Sequence, residues 1–308
     1  MGGLTAQDTA RVLAEALPFI HRFRGKVVVV KYGGSVHGTT GLDRSTSSLP
    51  AGGPSAAARD QHDAQLADFA ADVVLLRTVG ILPVVVHGGG PQISELMRRL
   101  GKVPELRDGL RVTDAETLDI ARMVLVGKVN RDLVGAINVH APWAVGLSGE
   151  DAGLITAEAA DPALGFVGTV GGMNVSILER LLAEELIPVI ATIGSDAAGQ
   201  AYNINADTVA AAVATALGAA KLVYLTDVEG IRAVAEDPSS VQRTLTADGL
   251  RKLINDGGVG SGMIPKAGGC LSALASGVAQ AHVLDGGLPH ALLLELFTAE
   301  GIGTMVTP

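Results

Sequence analysis

Ile81-Leu-Pro-Val-Val-Val-His-Gly-Gly-Gly-Pro91 is an apolar, valine-rich run that stops at three glycines and a proline. It is too short for a helix of ordinary length, and its β-branched residues suit a buried strand. Pro91 suits the first turn of a following helix. The same grammar recurs at Val27-Val-Val-Val-Lys-Tyr-Gly-Gly34 and at Leu222–Leu225, which runs into Thr226-Asp227. Ala144–Leu147 and Ile187–Ile193 read as further strands. Between them lie helical periods. Asp63–Thr78 sets Leu66, Phe69, Val73 and Leu76 on one face, and Thr113-Asp-Ala-Glu116 resembles a capping box opening a helix to about His140. Val175–Glu184 and Asp207–Leu217 read as two more helices. Strands alternating with helices predict an α/β fold, a three-layer αβα sandwich around a mainly parallel central sheet.

Outside this rhythm stand two segments. Thr5-Ala-Gln-Asp8 reads as a capping box, and Val12, Leu13, Ala16, Leu17, Ile20 and Phe23 follow at helical spacing, with Pro18 expected to kink the helix. A helix placed before the first strand has no core of its own, which suggests packing on another subunit. His37–His62 is polar, aperiodic and rich in Gly, Ser and Pro, and is predicted as a long flexible loop or surface insertion. No internal repeat is visible.

Composition narrows the function. With 308 residues and 48% apolar residues the chain can fill a large core, and its formal charge of −9 argues against a nucleic-acid partner, which needs a cationic face. The single cysteine, Cys270, excludes an intramolecular disulfide framework and a thiolate zinc cluster. No apolar run approaches the ~20 residues of a membrane span, and charges interrupt Thr5–Arg24 where a signal peptide would be continuously apolar; a soluble, cytoplasmic protein is expected. The 40 glycines are about twice the usual share. They cluster at the ends of apolar runs, where backbone approaches a ligand closely.

In parallel α/β sheets ligands bind beyond the carboxyl ends of the strands. Lys31 with Gly33-Gly34, then Gly88-Gly89-Gly90, then Thr226-Asp227, all fall there. Two glycine loops presenting backbone N–H groups after two strands point to a polyphosphate site. The Walker lysine motif and the Gly-x-Gly-x-x-Gly fingerprint are both absent, as are the nucleophile elbow and the zinc-protease helix. His87 reads either as a base or as a strand-end histidine held by backbone contacts. Asn203-Ile-Asn205-Ala-Asp207 sends polar side chains to the same sheet edge, with Asn205 suited to a helix N-cap. Gly260-Ser-Gly-Met-Ile-Pro-Lys266 puts a lysine in the first turn of a helix, where a cation is disfavoured unless an anion is bound nearby.

In order along nearly the whole chain, Val30-Lys-Tyr-Gly-Gly34, Val85-Val-His-Gly-Gly-Gly-Pro-Gln-Ile93, Gly109-Leu-Arg-Val-Thr113, Gly146-Leu-Ser-Gly-Glu-Asp151, Tyr202-Asn-Ile-Asn-Ala-Asp207, Leu225-Thr-Asp-Val-Glu-Gly230 and Ser261-Gly-Met-Ile-Pro-Lys266 resemble the amino acid kinase family. The resemblance is to members that use ATP to phosphorylate the side-chain carboxylate of N-acetyl-L-glutamate in arginine biosynthesis. It implies an oligomerisation helix over residues 1–25, an acyl-substrate lobe over 26–194 and an ATP lobe over 195–308. It also implies roles. Lys31 and Lys266 would flank the transferring phosphoryl group, with Asp207 holding both. Arg111 would clamp the substrate α-carboxylate, with Gly89, Gly90 and Asn203 completing the pocket. Gly33 and Gly34 would meet phosphate, and Thr226 and Asp227 the nucleotide. Mg2+ would be held by the phosphates and water, with no protein metal site.

The N-terminal helix and Glu295-Leu-Phe-Thr-Ala-Glu-Gly-Ile-Gly-Thr304 are similar to arginine-inhibited members, implying a hexamer built as a trimer of dimers and arginine feedback. Three features depart from the pattern: Ser35 in place of the usual Asn, a short stretch between Thr156 and Gly171 where a covering hairpin is longer, and Ala267-Gly268-Gly269 where an acidic residue is usual. They motivate the alternative of a paralogous acyl kinase acting on another acylated amino acid or a carrier-protein-linked glutamyl group.

Overall fold

A computed structural model describes residues 5–33, 56–107, 109–260 and 262–308. Gly34, Ser35, the 37–55 portion of the predicted loop and Ser261 lie outside the described residues. The chain opens with α1 (Ala6–Phe23), β1 (Val27–Tyr32), α2 (Ala56–Thr78), β2 (Leu82–His87), α3 (Gly90–Arg99) and the short arms β3 (Leu106–Arg107) and β4 (Leu110–Arg111). A long helical stretch follows as α4 (Ala115–Val124), a π-turn (Leu125–Val129) and α5 (Asn130–His140). Next come β5 (Ala144–Ser148), β6 (Ile155–Ala159), β7 (Val167–Met173), α6 (Ser176–Ala183), β8 (Ile187–Ala191), β9 (Ile193–Ser195), β10 (Ala201–Ile204) and α7 (Ala206–Ala216). The chain ends with β11 (Lys221–Thr226), β12 (Thr244–Thr246), α8 (Ala247–Asn255), α9 (Ile264–Ala275), β13 (Gln280–Asp285), α10 (Ala291–Phe297) and β14 (Thr304–Thr307).

The main sheet has the order β12-β14-β13-β11-β1-β2-β8-β5. Every neighbouring pair from β13 to β5 is parallel, and β14 runs antiparallel beside β13. Period-two alternation along β1 sorts its side chains onto two cores. Val28, Val30 and Tyr32 pack with Leu76, Leu133 and Leu292 on one face, while Val29 packs with Leu178, Val209 and Ala273 on the other. Lys31 falls on the Val29 face, the side covered by α7 and α9. The αβα sandwich expected from the alternation is therefore present, with β1 central and the ends of β2 and β11 beside it.

Three expectations change. Residues 56–62 belong to α2 rather than to a loop; Ala56–Ala58 have high helix propensity, although apolar periodicity begins only at Leu66. The cap of α4 is Asp114, which accepts from the Thr117 N–H at 2.8 Å. Thr113 instead turns its hydroxyl to the Arg111 carbonyl, 2.7 Å away. And β6, β7, β9 and β10 close on one another as a small separate sheet that alternation does not reveal. Glycines make β7 unreadable as a strand, and one of them is required there: a Cβ on Gly168 would sit 2.7 Å from the Cβ of Tyr202.

The end of α1 is anchored. Phe23 is buried, and the Lys221 ammonium lies 4.8 Å from its ring centroid. Lys221 in turn meets His282 at 3.0 Å, and His282 meets Glu295 at 2.6 Å. Among the described residues no helix is long and apolar enough to cross a membrane.

α7 and α9 cross closely where Gly269 faces Tyr224, and a Cβ on Gly269 would run into the Tyr224 hydroxyl. That hydroxyl is buried and donates to the Asp207 carbonyl at 3.0 Å. Gly269→Ala is expected to cost about 1–3 kcal/mol through overpacking, read as a lower Tm; an unchanged Tm would contradict this packing.

Candidate active site

Lys31 ends β1 pointing to the α7 side, and Asp207 sits in the first turn of α7. The turn is set by Asn205, whose side-chain oxygen accepts from the Asp207 and Thr208 N–H groups at 2.8 and 3.3 Å, so Asn205 is the N-cap. Lys266 comes from the first turn of α9 behind Pro265. The three meet. Lys31 Nζ lies 2.8 Å from Asp207 Oδ1, and Lys266 Nζ lies 3.2 Å from Asp207 Oδ2. Burial pushes the Asp207 carboxyl up, but the charges of Lys31 and Lys266 pull harder and leave it below the usual carboxylate range. It is ionised at neutral pH. Two cations share one anion, leaving an excess positive charge in a water-poor place.

A cavity of about 280 Å³ opens on this cluster. Lys31 and Asp207 line it together with Gly88–Gly90, Arg111 and Asn203. Arg111, brought in by β4, is only 8% exposed. Its guanidinium donates to the Gly90 carbonyl at 2.9 Å and the Ser94 hydroxyl at 2.7 Å, and approaches the Met97 sulfur at 3.3 Å. All three partners are neutral. Burial, and then the nearby Arg98 charge, lower its pKa to about 10. A buried cation without a carboxylate partner among the described residues is costly, and at a cavity wall it calls for an anionic ligand.

The glycine loop is shaped by close approach. A Cβ on Gly89 would lie 2.7 Å from Leu125 Cδ2 and 3.2 Å from Val129 Cγ2, so α3 can begin beside the cavity only if this position lacks a side chain. At Gly33 a Cβ would meet the Leu225 carbonyl oxygen at 2.7 Å. This brings the ends of β1 and β11 together. Thr226 is buried at the end of β11, its hydroxyl accepting from the Val228 N–H at 3.1 Å, while Asp227 is exposed beside it.

His87 is not a base. It is fully buried, with Nδ1 3.0 Å from the Gly88 carbonyl and Nε2 3.1 Å from the Asn130 amide nitrogen. Burial lowers its pKa to about 4, so it stays neutral. The structure thus brings together Lys31, Gly33, Gly89, Gly90, Arg111, Asn203, Asp207 and Lys266, and sets Thr226 and Asp227 at the next strand end. Sequence reasoning passed over Asn130, which lies in mid-helix with no motif around it, and Thr192, a buried cavity-lining residue.

The His87 environment makes stability depend on pH. The unfolded side chain takes up a proton near pH 6.5, while the folded one refuses it until about pH 4. Below pH 6.5 the unfolded state therefore binds more protons, and the unfolding free energy falls as pH drops toward 4, by up to ~1.4 kcal/mol per unit. His282, depressed chiefly by burial, adds to the same slope. His87→Asn is expected to flatten it, measured by denaturant melts at several pH values. Parallel curves for the two proteins would refute this.

The sequence profile of the amino acid kinase family matches residues 26–285. An acetylglutamate kinase of Nocardia farcinica is 49% identical over 99% of this chain and 95% of that protein. N-acetylglutamate synthase from Neisseria gonorrhoeae, complexed with coenzyme A and N-acetyl-glutamate, superposes with a TM-score of 0.79 at 27% identity. The match takes in 97% of this chain but 63% of the synthase, so this chain spans under two thirds of that protein. Carbamate kinase from Giardia lamblia shares the fold, with a TM-score of 0.62 at 16% identity over 92% of this chain and 98% of that one. With a family profile spanning most of its length and a near-full-length relative at 49% identity, the chain belongs to the amino acid kinase family.

Proposed function

We propose that the protein transfers the γ-phosphoryl group of ATP to the side-chain carboxylate of N-acetyl-L-glutamate, forming an acyl phosphate and ADP. The observation that carries this reading is a cavity whose lining combines Lys31 and Asp207 with the buried Arg111, which has no carboxylate partner among the described residues. A substrate with a carboxylate at each end suits such a site. The near-full-length identity with an acetylglutamate kinase supports the same substrate over another acylated amino acid.

The chemistry asks little of acid–base groups. A carboxylate of ordinary pKa ~4.3 is already ionised at neutral pH. Its oxygen attacks the γ-phosphorus, the bond to the bridging oxygen breaks, and no proton need be removed. What is difficult is bringing an anion up to a polyanion, so the site contributes alignment and positive charge. Lys31 and Lys266 are proposed to flank the phosphoryl group in transit, with Asp207 fixing their separation. Arg111 takes the α-carboxylate, and Asn203, Gly89 and Gly90 complete the acyl pocket. Gly33 and Gly34 meet phosphate, and Thr226 and Asp227 the nucleotide. Among the described residues no group of three or more His, Cys, Asp or Glu could hold a metal ion. Mg2+ is proposed to be held by the phosphates and water, as the family resemblance implies.

On this reading residues 26–194 form the acyl lobe and 195–308 the ATP lobe, and the Lys31–Asp207 pair spans both. α1 is assigned to subunit contacts, its Val12, Leu13 and Leu17 being at least half exposed; a hexamer under arginine feedback follows from the likeness of α1 and the Glu295–Thr304 segment to arginine-inhibited members.

Acyl phosphate trapped as the hydroxamate tests the reading. Turnover is expected with N-acetyl-L-glutamate and not with glutamate or N-acetyl-aminoadipate; folded, ATP-binding protein without turnover would overturn it. Lys266→Ala is expected to keep nucleotide binding and lose about 100-fold or more in kcat. Arg111→Ala is expected to raise KM for the carboxylate substrate by at least about tenfold; an unchanged KM would remove Arg111 from the pocket.

A further inference from the structure

The helix from Ala115 to His140 is interrupted by one π-turn, Leu125–Val129, at which the Asn130 N–H bonds back to the Leu125 carbonyl. In an uninterrupted α-helix, residues five apart point away from each other. The extra residue of the π-turn closes most of that angle, and such turns concentrate at functional sites. Leu125 consequently rests on Gly89, while Asn130 enters the protein completely buried. It reaches His87, at 3.1 Å, and the Val189 carbonyl, at 2.9 Å, with the same amide nitrogen. Its amide oxygen accepts from Arg131.

These partners fix the protons. Because the Asn130 oxygen faces a guanidinium and its nitrogen faces a carbonyl, that nitrogen is the donor toward His87. His87 Nε2 therefore accepts, and Nδ1 carries the proton that is donated to the Gly88 carbonyl, 3.0 Å away. Space for the arrangement is reserved on β5, where a Cβ on Gly146 would coincide with the Arg131 guanidinium and the Asn130 amide oxygen.

We propose that Asn130, turned inward by the π-turn, is a positioning residue for phosphoryl transfer: through His87 it pins the Gly88 peptide, and with it the glycine loop and first turn of α3 that face the cavity. The inference rests on the kinase reading and deepens it. The loop carries two loads at once, since the Gly90 carbonyl also holds Arg111. Releasing it loosens the alignment of the reacting groups more than it weakens binding, because Lys31, Asp207 and Lys266 stay in place.

Asn130→Leu, His87→Leu, His87→Asn and Arg131→Met are compared with the wild type by hydroxamate kinetics, by calorimetric Kd for ATP and N-acetyl-L-glutamate, and by Tm. Asn130→Leu and His87→Leu are expected to lower kcat by about tenfold or more, with both Kd values within about threefold. His87→Asn keeps an amide donor for the Gly88 carbonyl and is expected to recover most of that loss. Arg131→Met, at a position exposed overall, frees the Asn130 amide and is expected to reduce kcat a few-fold. The positioning role is overturned if folded Asn130→Leu keeps wild-type kcat, if His87→Asn is no better than His87→Leu, or if kcat follows Tm alone. Should Asn130→Leu not fold, the two His87 variants and Arg131→Met decide. Wild-type inactivity would overturn the kinase reading and this inference with it, whereas an active wild type with fully active variants overturns the inference only.

Discussion

The carboxylate of Asp207 between Lys31 and Lys266 is the constraint on which the rest of the structure depends. Its three members come from β1, α7 and α9, far apart in sequence, and each must be delivered within about an ångström. The parallel sheet does this for Lys31 by register, since β1 lies between β2 and β11 and ends where their loops begin. Asn205 does it for Asp207 by starting α7 at a defined residue. Pro265 does it for Lys266 by opening α9. The close crossing of α7 and α9 at Gly269 and Tyr224 then sets the distance between the two helix starts. The Tyr224 hydroxyl on the Asp207 carbonyl couples that packing to the ion-pair cluster.

Breaking a buried ion pair costs more than forming it gains, because the surviving charge is left desolvated. The cluster is therefore weak evidence of stability and strong evidence of function: well-packed apolar residues would fill the same volume at less risk. Two lysines on one buried carboxylate make sense where further negative charge arrives during the working cycle.

Much of this was legible in the sequence. Valine-rich runs ending in glycines marked β1 and β2, and Thr226-Asp227 marked the end of β11, because buried parallel strands read as continuous apolar stretches. Lys266 stood out since a cation in a first helical turn opposes the helix dipole. Other parts were hidden for physical reasons. β7 carries Gly168, Gly171 and Gly172, the first two placed by close contacts rather than by β-propensity, so the small sheet left no alternation to read. The π-turn comes with the packing of Leu125 against Gly89, a long-range contact with no local signature. Asn130 is accordingly an asparagine in mid-helix until the fold brings it to His87. For His87 itself the residue type allowed two roles, and only burial and its two partners chose between them.

Charge accounting around the cavity explains how binding and stability trade against each other. Among the described residues Lys31 and Lys266 share the one carboxylate of Asp207 and Arg111 meets only neutral partners, so the site holds more positive charge than these partners compensate. Arg111 bears this most plainly, its pKa drawn down to about 10 by burial and Arg98. A sequence selected only for stability would place a carboxylate beside it. On the proposed reading, that carboxylate would also occupy the place the substrate takes, and would repel it. The uncompensated charge is thus a cost the fold carries so that an anion entering the cavity finds its partners already desolvated and oriented, with the large apolar cores on both faces of the sheet holding them against their mutual repulsion.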